Sequence, residues 1–468
     1  MRVLLINPSI NSSKFGKFHI LMEPMPCIGL AYIAALLEEE GHTVKIIDNF
    51  AMNYPVRRII DIIRDDTPDI VGISVLTPGV NRALELASDI KKLDDRIVVI
   101  AGNVHPTLFP GEFIGPGRFD IVVRGEGEKS MSEVTRMLEM KKGLEDIRGI
   151  SYMANGRIIH NEDRPIIEDL DSLPFPAWHL LPYRDYGLFP FADIKKPVLT
   201  VLATRGCTFR CKYCSLSYMD RTYRKRSVDN VVDEIEFLIR EFGIRQFGFV
   251  DPIFPMEEQY ALDFCEEMIR RGIHRNIVWT TETRIDVLNE KLIKALKEAG
   301  CRRFIFGLES GSEEMLIKIG KRIDFNKSRH VMKLIKKYKM ETIGLFMIGL
   351  PGETEDLIEK TFRYARSLDI DFAKFAMTVP FPGSEFYETM KKEGKIRSDN
   401  WDDYTTFNPD PEKVPYVPEG LTAEKLIALQ KKGTMDFYLR PRMIFRHLFM
   451  IRTLKLSMML KGLYCLLT

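Results

Sequence analysis

Short β-branched runs alternate with amphipathic helical stretches in two separate series along this chain, and that alternation leaves few folds open. Parallel strands cannot be joined by tight turns. Each needs a crossover, usually a helix, so the pattern predicts parallel sheets covered by helices. The first series places strands over 3–6, 43–47, 70–75, 97–101 and 121–123, with helices over 29–40, 56–64 and 82–92 between them. This is the pattern of a doubly wound α/β domain. In such sheets ligands sit at the carboxyl ends of the strands, where helix N-termini point outward. Small and polar residues collect at those ends: Ser74, Leu76 and Thr77 after the third strand, Gly102, His105, Pro106 and Thr107 after the fourth, Gly125, Glu126, Gly127 and Glu128 after the fifth. One such loop is an ordinary turn; three on one edge predict a binding surface.

Asn155-Gly156, between Ile150-Ser151-Tyr152 and Ile158-Ile159, signals a hairpin. Pro174, Pro176 and Pro182 then punctuate a connector, so 141–194 is expected to be a linker and not a functional site. From Val198 the alternation resumes, with strands over 199–203, 246–250, 277–281, 304–307, 342–348 and 372–379 and helices over 229–240, 259–271, 291–299, 328–338 and 357–367. Six units are too many to extend the first sheet and two short of a closed eight-stranded barrel. An incomplete parallel barrel is expected, with its chemistry at the strand carboxyl ends.

The first strand of this second series runs into Cys207-Thr208-Phe209-Arg210-Cys211-Lys212-Tyr213-Cys214, a C-x3-C-x2-C loop. Cysteine thiolates are the usual ligands of [4Fe-4S] clusters, and three on one short loop can hold three of the four irons. The fourth iron then has no cysteine, and an iron left open can bind a small chelating ligand. Zinc sites favour four ligands in paired C-x2-C spacings, and a structural disulfide needs an oxidising compartment. Both stand as alternatives to the cluster on spacing alone.

At 468 residues the chain is long enough for several cores, expected here as 1–140, 141–194, 195–395 and 396–468. Hydrophobic residues at 45% and charged residues at 29% describe a globular protein in water. A net charge of +2 gives no electrostatic footprint for nucleic acid, and no such partner is expected. Beyond the motif, Cys27, Cys265, Cys301 and Cys465 are scattered, which argues against a disulfide framework and for a reducing interior. Arg2-Val3-Leu4-Leu5-Ile6-Asn7 reads as a strand and not a signal peptide, and no uncharged stretch reaches the roughly 18 residues a membrane span requires. A cytoplasmic location is expected. The region 396–468 changes character: Asn408-Pro409-Asp410-Pro411 is irregular and 422–438 reads as helix. From Phe437 to Thr468 six Arg or Lys and no Asp or Glu interleave with apolar residues such as Phe445, Leu448, Phe449 and Leu460. Docking of this apolar face on the barrel is expected, with peripheral membrane contact through 437–468 as the alternative.

A cysteine loop at the mouth of a partial barrel resembles the radical SAM superfamily, whose signature is this C-x3-C-x2-C. The resemblance implies that the open iron chelates the amino and carboxylate groups of S-adenosylmethionine (SAM). One electron, from a donor such as flavodoxin or ferredoxin, then cleaves SAM to methionine and a 5′-deoxyadenosyl radical, which abstracts hydrogen from a substrate. It also implies SAM contacts. Tyr213 precedes the last cysteine; Glu309 and Ser310 lie in Gly307-Leu308-Glu309-Ser310-Gly311-Ser312 after the fourth barrel strand; Gly349 and Glu353 lie in Gly349-Leu350-Pro351-Gly352-Glu353-Thr354 after the fifth. Asp251 and Arg284 stand at the ends of the second and third.

The first domain resembles the cobalamin-binding domain that one class of these enzymes carries. The resemblance then covers the chain domain by domain: a Rossmann-like cobalamin domain, a partial (βα)6 TIM-like radical SAM barrel and a helical C-terminal extension. Many cobalamin domains have an Asp-x-His-x-x-Gly motif that supplies a lower axial histidine; no such run occurs here, and His105 in Gly-Asn-Val-His-Pro-Thr has other surroundings. The resemblance implies cobalamin held without a protein histidine on cobalt, cradled by the three loops of the first domain. It further implies an anaerobic C-methyltransferase acting on an unactivated carbon of a small-molecule or lipid substrate. An oxidoreductase or cyclase without methyl transfer, as in the anaerobic magnesium-protoporphyrin ester cyclase, shares this architecture, and a non-catalytic cobalamin or cluster sensor is a third reading. Methylthio transfer needs a second cluster, for which Cys27 alone is available before Cys207.

Overall fold

In the first series, apolar runs are buried on both faces. Val3 and Leu5 pack with the helices Ile28–Glu39 and Gly127–Glu139, while Leu4 and Ile6 pack with Val56–Asp66 and Val80–Leu93, as a central parallel strand requires. The computed structural model describes residues 1–9, 23–188, 195–218 and 221–447. Strands β1 (Arg2–Asn7), β2 (Thr43–Asp48), β3 (Ile70–Ser74), β4 (Val98–Gly102) and β5 (Ile121–Val123) are parallel neighbours. The hairpin β6 (Ile150–Ala154) and β7 (Arg157–His160) extends them antiparallel, giving the order β2-β1-β3-β4-β5-β6-β7.

The stretch 141–194 is thus more than a connector. Without β6 the outer edge of β5 would be left as an unpaired ladder, and Asn155 and Gly156, with φ of 50° and 72°, make the two-residue turn that such a hairpin needs. Further on, Trp178 and Tyr186 are fully buried, and the Tyr186 hydroxyl donates to Asp48 Oδ2 at 2.7 Å.

The second sheet contains β8 (Val198–Val201), β11 (Gln246–Phe249), β12 (Val278–Thr283), β13 (Cys301–Glu309), β14 (Glu341–Ile348) and β15 (Phe372–Met377), all parallel and in chain order. Sequential order with open edges at β8 and β15 is that of a barrel short of closure. Two short strands, β9 (Thr204–Arg205) and β10 (Arg224–Lys225), pair antiparallel across the base of the cysteine loop. Toward the amino ends of the strands, Val198, Ile305, Ile343 and Phe372 close the lumen together with Leu188. The carboxyl ends stay open to the first domain.

The helix Ala423–Tyr438 lies on β15: Gln430 Nε2 donates to the Phe375 carbonyl at 2.8 Å and the Tyr438 hydroxyl to that of Ala373 at 2.9 Å. The start of the basic segment also sits on the barrel, with Arg442 and Arg446 paired to Asp369 at 2.9 and 2.6 Å. Residues 448–468, with Phe449, Leu460 and Cys465, lie outside the described residues. No helix among the described residues is long and apolar enough to cross a membrane.

Candidate active site

The cysteine loop begins where β8 ends and is held at its root before the first thiol. Asp251, at the carboxyl end of β11, accepts from the Ala203 and Thr204 amides and from Thr204 Oγ1. Burial pushes this carboxyl up to about 7. Both its oxygens are taken, so Asp251 staples the loop rather than facing SAM as expected. Gly206 follows with φ +83°, and a Cβ there would stand 2.1 Å from the Thr222 carbonyl oxygen. Only glycine fits this crossing.

Cys207, Cys211 and Cys214 are half-buried, and none of them is in a disulfide among the described residues. Burial raises Cys207 and Cys214, and the neighbouring thiols raise them further. Yet among the described residues no three His, Cys, Asp or Glu side chains converge on a point that one metal ion could occupy. Three thiols on one short loop fit a cubane, in which each sulfur takes a different iron. Arg284 lies 3.9 Å over the Phe209 ring inside the loop and is paired with Asp286 at 2.7 Å. It braces the loop by cation–π contact.

Facing the loop, Glu309 ends β13 in a left-handed conformation, φ +58°, at a register shift against β14. Its Oε1 accepts from the Tyr213 hydroxyl and from Lys321 Nζ, each at 2.8 Å. Oε2 takes no hydrogen bond among the described residues. Ser310 is turned away, bonded to Thr361 Oγ1 at 3.1 Å. Glu353 Oε2 accepts from the Gly349 and Leu350 amides at 2.7 and 3.0 Å and so holds the turn after β14; its Oε1 is buried without a partner, and burial lifts the carboxyl to about 7. Inside the lumen, on the same faces as Ile305 and Phe372, stand Glu282 and Lys374. Burial, then Glu309, raises Glu282 to about 7, while burial lowers Lys374. Neither makes an ion pair among the described residues.

A cavity of about 350 Å³ lies between the carboxyl edge of the first sheet and the root of the cysteine loop. Ser74, Gly102, Gly125, Glu126, Gly127 and Glu128 line it as expected. From the barrel side come Thr204, Arg205 and Gly206, before the thiols, and Leu216 after them. At Gly29 and Gly125, both in its wall, a Cβ would meet nothing within 4 Å. The missing side chains leave room for a ligand beside the backbone, which fits a bulky planar cofactor.

Leu76, Thr77, His105, Pro106 and Thr107, expected in the cradle, do not line this cavity. Leu76 projects into solvent, 50% exposed. His105 turns inward: it hydrogen-bonds Thr77 Oγ1 at 3.1 Å, and its ring lies 4.6 Å from that of Trp401. Burial among aromatic rings is the cheaper place for an imidazole that has a hydroxyl partner. Thr107 Oγ1 accepts from the Gly125 amide at 3.1 Å and thus fixes the neighbouring loop. Glu126 and Glu128 reach the cavity but spend their charges on Arg205, at 3.0 and 2.5 Å. Arg205, Arg224, Lys321, Glu282 and Lys374 all went unnoticed in the sequence.

Residues 201–365 match the family described as the Radical SAM superfamily, and residues 22–135 match the B12 binding domain. The chain is 34% identical over 451 residues to an uncharacterized methyltransferase of Pyrococcus horikoshii, covering 96% of this chain and 95% of that protein. The chain belongs to the cobalamin-dependent radical SAM enzymes. Its cofactors are a [4Fe-4S] cluster, SAM and cobalamin. It is also 30% identical to the anaerobic magnesium-protoporphyrin IX monomethyl ester cyclase of Rubrivivax gelatinosus, over 83% of this chain and 70% of that one. The fold is that of the radical SAM methyltransferase TsrM from Kitasatospora setae, with a TM-score of 0.71 at 19% identity over 92% of this chain and 90% of that one.

Proposed function

We propose that this enzyme methylates an unactivated carbon of a small-molecule or lipid substrate. The observation that supports this reading is the cavity bordered by the strand-end loops of the first domain and by Gly206 and Leu216, which flank the thiols in sequence. When bound, the cluster with SAM supplies a 5′-deoxyadenosyl radical and cobalamin supplies a methyl group, the electron coming from a flavodoxin or ferredoxin. The chain's residues bind and orient. Three thiols hold the cluster; Tyr213 and Lys321 fix one Glu309 oxygen and leave the other for a hydroxyl or amino group of SAM. Glu282 and Lys374 offer the substrate an acceptor and a cation inside the lumen. The methyltransferase of Pyrococcus horikoshii, similar along nearly its whole length, supports the same reaction class.

Oxidation or cyclisation without methyl transfer is a second reading. It is favoured by the Glu282 carboxyl, which takes no side-chain hydrogen bond among the described residues and is raised to about 7, so that it can accept the proton that such a reaction releases. One experiment separates the two. Anaerobically reconstituted protein is incubated with dithionite, cobalamin, methyl-labelled SAM and a cell extract as the source of substrate. 5′-Deoxyadenosine together with S-adenosylhomocysteine and a labelled product is expected; 5′-deoxyadenosine without S-adenosylhomocysteine overturns methyl transfer in favour of the second reading.

A further inference from the structure

The cysteine loop spans 206–223, and its two ends are tied together by the β9–β10 ladder, in which Arg205 pairs with Arg224. Both side chains cross to the first domain and grip the same carboxylate. Glu126 Oε1 takes Arg205 Nη1 and Arg224 Nη2, each at 3.0 Å, and Glu126 Oε2 takes Arg224 Nη1 at 3.0 Å. Arg205 Nη2 adds Glu128 at 2.5 Å, and its guanidinium lies 5.5 Å over the Tyr32 ring. Glu126 and Glu128 are about 5% exposed and Arg224 is 6% exposed, so the cluster is shielded from water and from screening salt. Planar guanidinium groups make such forks rigid. Glu126 also accepts from the Ile167 amide at 2.7 Å, which fixes its orientation.

This clasp stands on the wall of the shared cavity. Tyr32, Glu126, Glu128 and Arg205 all line it, as do residues on both flanks of the thiols, Gly206 and Leu216. A molecule filling the cavity therefore touches the carboxylates, the arginine that reads them and the loop that the arginine holds.

We infer that the Arg205–Arg224–Glu126–Glu128 clasp couples the two cofactor sites, so that cobalamin in the cavity orders the cysteine loop and an ordered, cluster-bearing loop tightens cobalamin binding. Arg205 and Arg224 are positioning residues here. The inference rests on the cavity being the cobalamin site. Because coupling between two binding events is reciprocal, it is readable from either side.

The test uses hydroxocobalamin and the full-length protein in iron-free and anaerobically reconstituted forms. Cobalamin affinity by equilibrium dialysis is expected to be about fivefold or more tighter in the reconstituted form. In the iron-free form, cobalamin is expected to slow amide exchange across 203–225 about tenfold or more. In Arg205→Met both effects are expected to shrink toward onefold, the exchange being read with cobalamin at saturation, and Arg205→Lys should recover part of them. Wild-type protein that binds cobalamin with equal affinity in both forms and shows unchanged exchange over 203–225 overturns the coupling. Should Arg205→Met fold and keep both effects in full, the clasp is not the coupler. No cobalamin binding in either form overturns the cavity assignment itself, and the coupling with it.

Discussion

Gly206→Ala should empty the cluster site while leaving the protein folded. Two costs add at this position. A left-handed backbone costs an L-residue about 1–2 kcal/mol. The larger problem is contact: the new Cβ would lie 2.1 Å from the Thr222 carbonyl oxygen, against the 3.4 Å at which ordinary contact begins. Bending the Cα–Cβ bond by 15° moves Cβ by only about 0.4 Å and costs about 4 kcal/mol. Strain inside the residue cannot absorb the clash, so β9 and β10 must part. An opening penalty of about 2–4 kcal/mol raises the population of the parted loop by roughly 30- to 1000-fold. The assay is iron and acid-labile sulfide per chain after anaerobic reconstitution and desalting, with thermal unfolding alongside. Wild type should hold about four of each, Gly206→Ala less than half of that, and Cys211→Ala essentially none. Gly156→Ala is the control, because Gly156 has φ +72° with nothing within 4 Å, the same backbone cost without the clash. It should keep its iron. Full iron in Gly206→Ala, or equal losses in both glycine variants, would refute the reasoning, as would a wild type that loads zinc and no iron.

Lys321→Met leaves the buried Glu309 with Tyr213 as its sole donor, and breaking a buried pair by removing one partner costs about 3–5 kcal/mol; SAM affinity by equilibrium dialysis should fall more than tenfold, with Lys321→Arg recovering part, and an unchanged affinity in the Met variant would remove Lys321 from the site. Glu353 is raised from 4.5 to about 7 by burial, so its neutral form stabilises the fold below about pH 4.5, and that contribution, about 3 kcal/mol, is lost as pH rises to 7 and beyond. Glu353→Gln should therefore gain stability relative to wild type between pH 5 and 8, read as the difference in urea midpoint; parallel curves would contradict this. If the basic segment docks on the barrel as its start does, where Arg442 and Arg446 pair with Asp369, truncation after His447 should leave binding to anionic liposomes unchanged; a marked loss would point to the membrane alternative.

The strands were legible because strands buried on both faces are rich in β-branched and aromatic residues, and in every case the observed element lies within a few residues of the expected one. The three thiols were legible because their spacing is local. What escaped is non-local. Arg205 meets carboxylates 77 and 79 residues away in sequence, and nothing in an isolated Thr204-Arg205-Gly206 announces a partner. The one available signal is position, a cation flush against a strand end with a glycine between it and Cys207. Lys321 returns to Glu309 through Gly320, φ +71°, after the short helix Glu313–Lys318, a path that a reading of strand ends does not follow. His105 was placed in the cradle by its loop, but the Thr77 hydroxyl and the aromatic rings around it turn it inward.

Four acidic residues stand at the carboxyl ends of consecutive barrel strands, and sequence position alone gives them one role. Their donors give them four. Asp251 accepts three hydrogen bonds from the start of the cysteine loop, so its charge is consumed in holding backbone. Glu353 accepts two from the turn it closes, with one oxygen buried and unmatched, and is scaffold of a second kind. Glu309 is held by two side chains on a single oxygen, the arrangement that aims a carboxylate while leaving a lone-pair face for a ligand. Glu282 takes no side-chain hydrogen bond among the described residues. The donor inventory at each strand end thus separates Asp251 and Glu353, which build the mouth, from Glu309 and Glu282, whose remaining acceptor oxygens are the ones proposed to meet SAM and substrate.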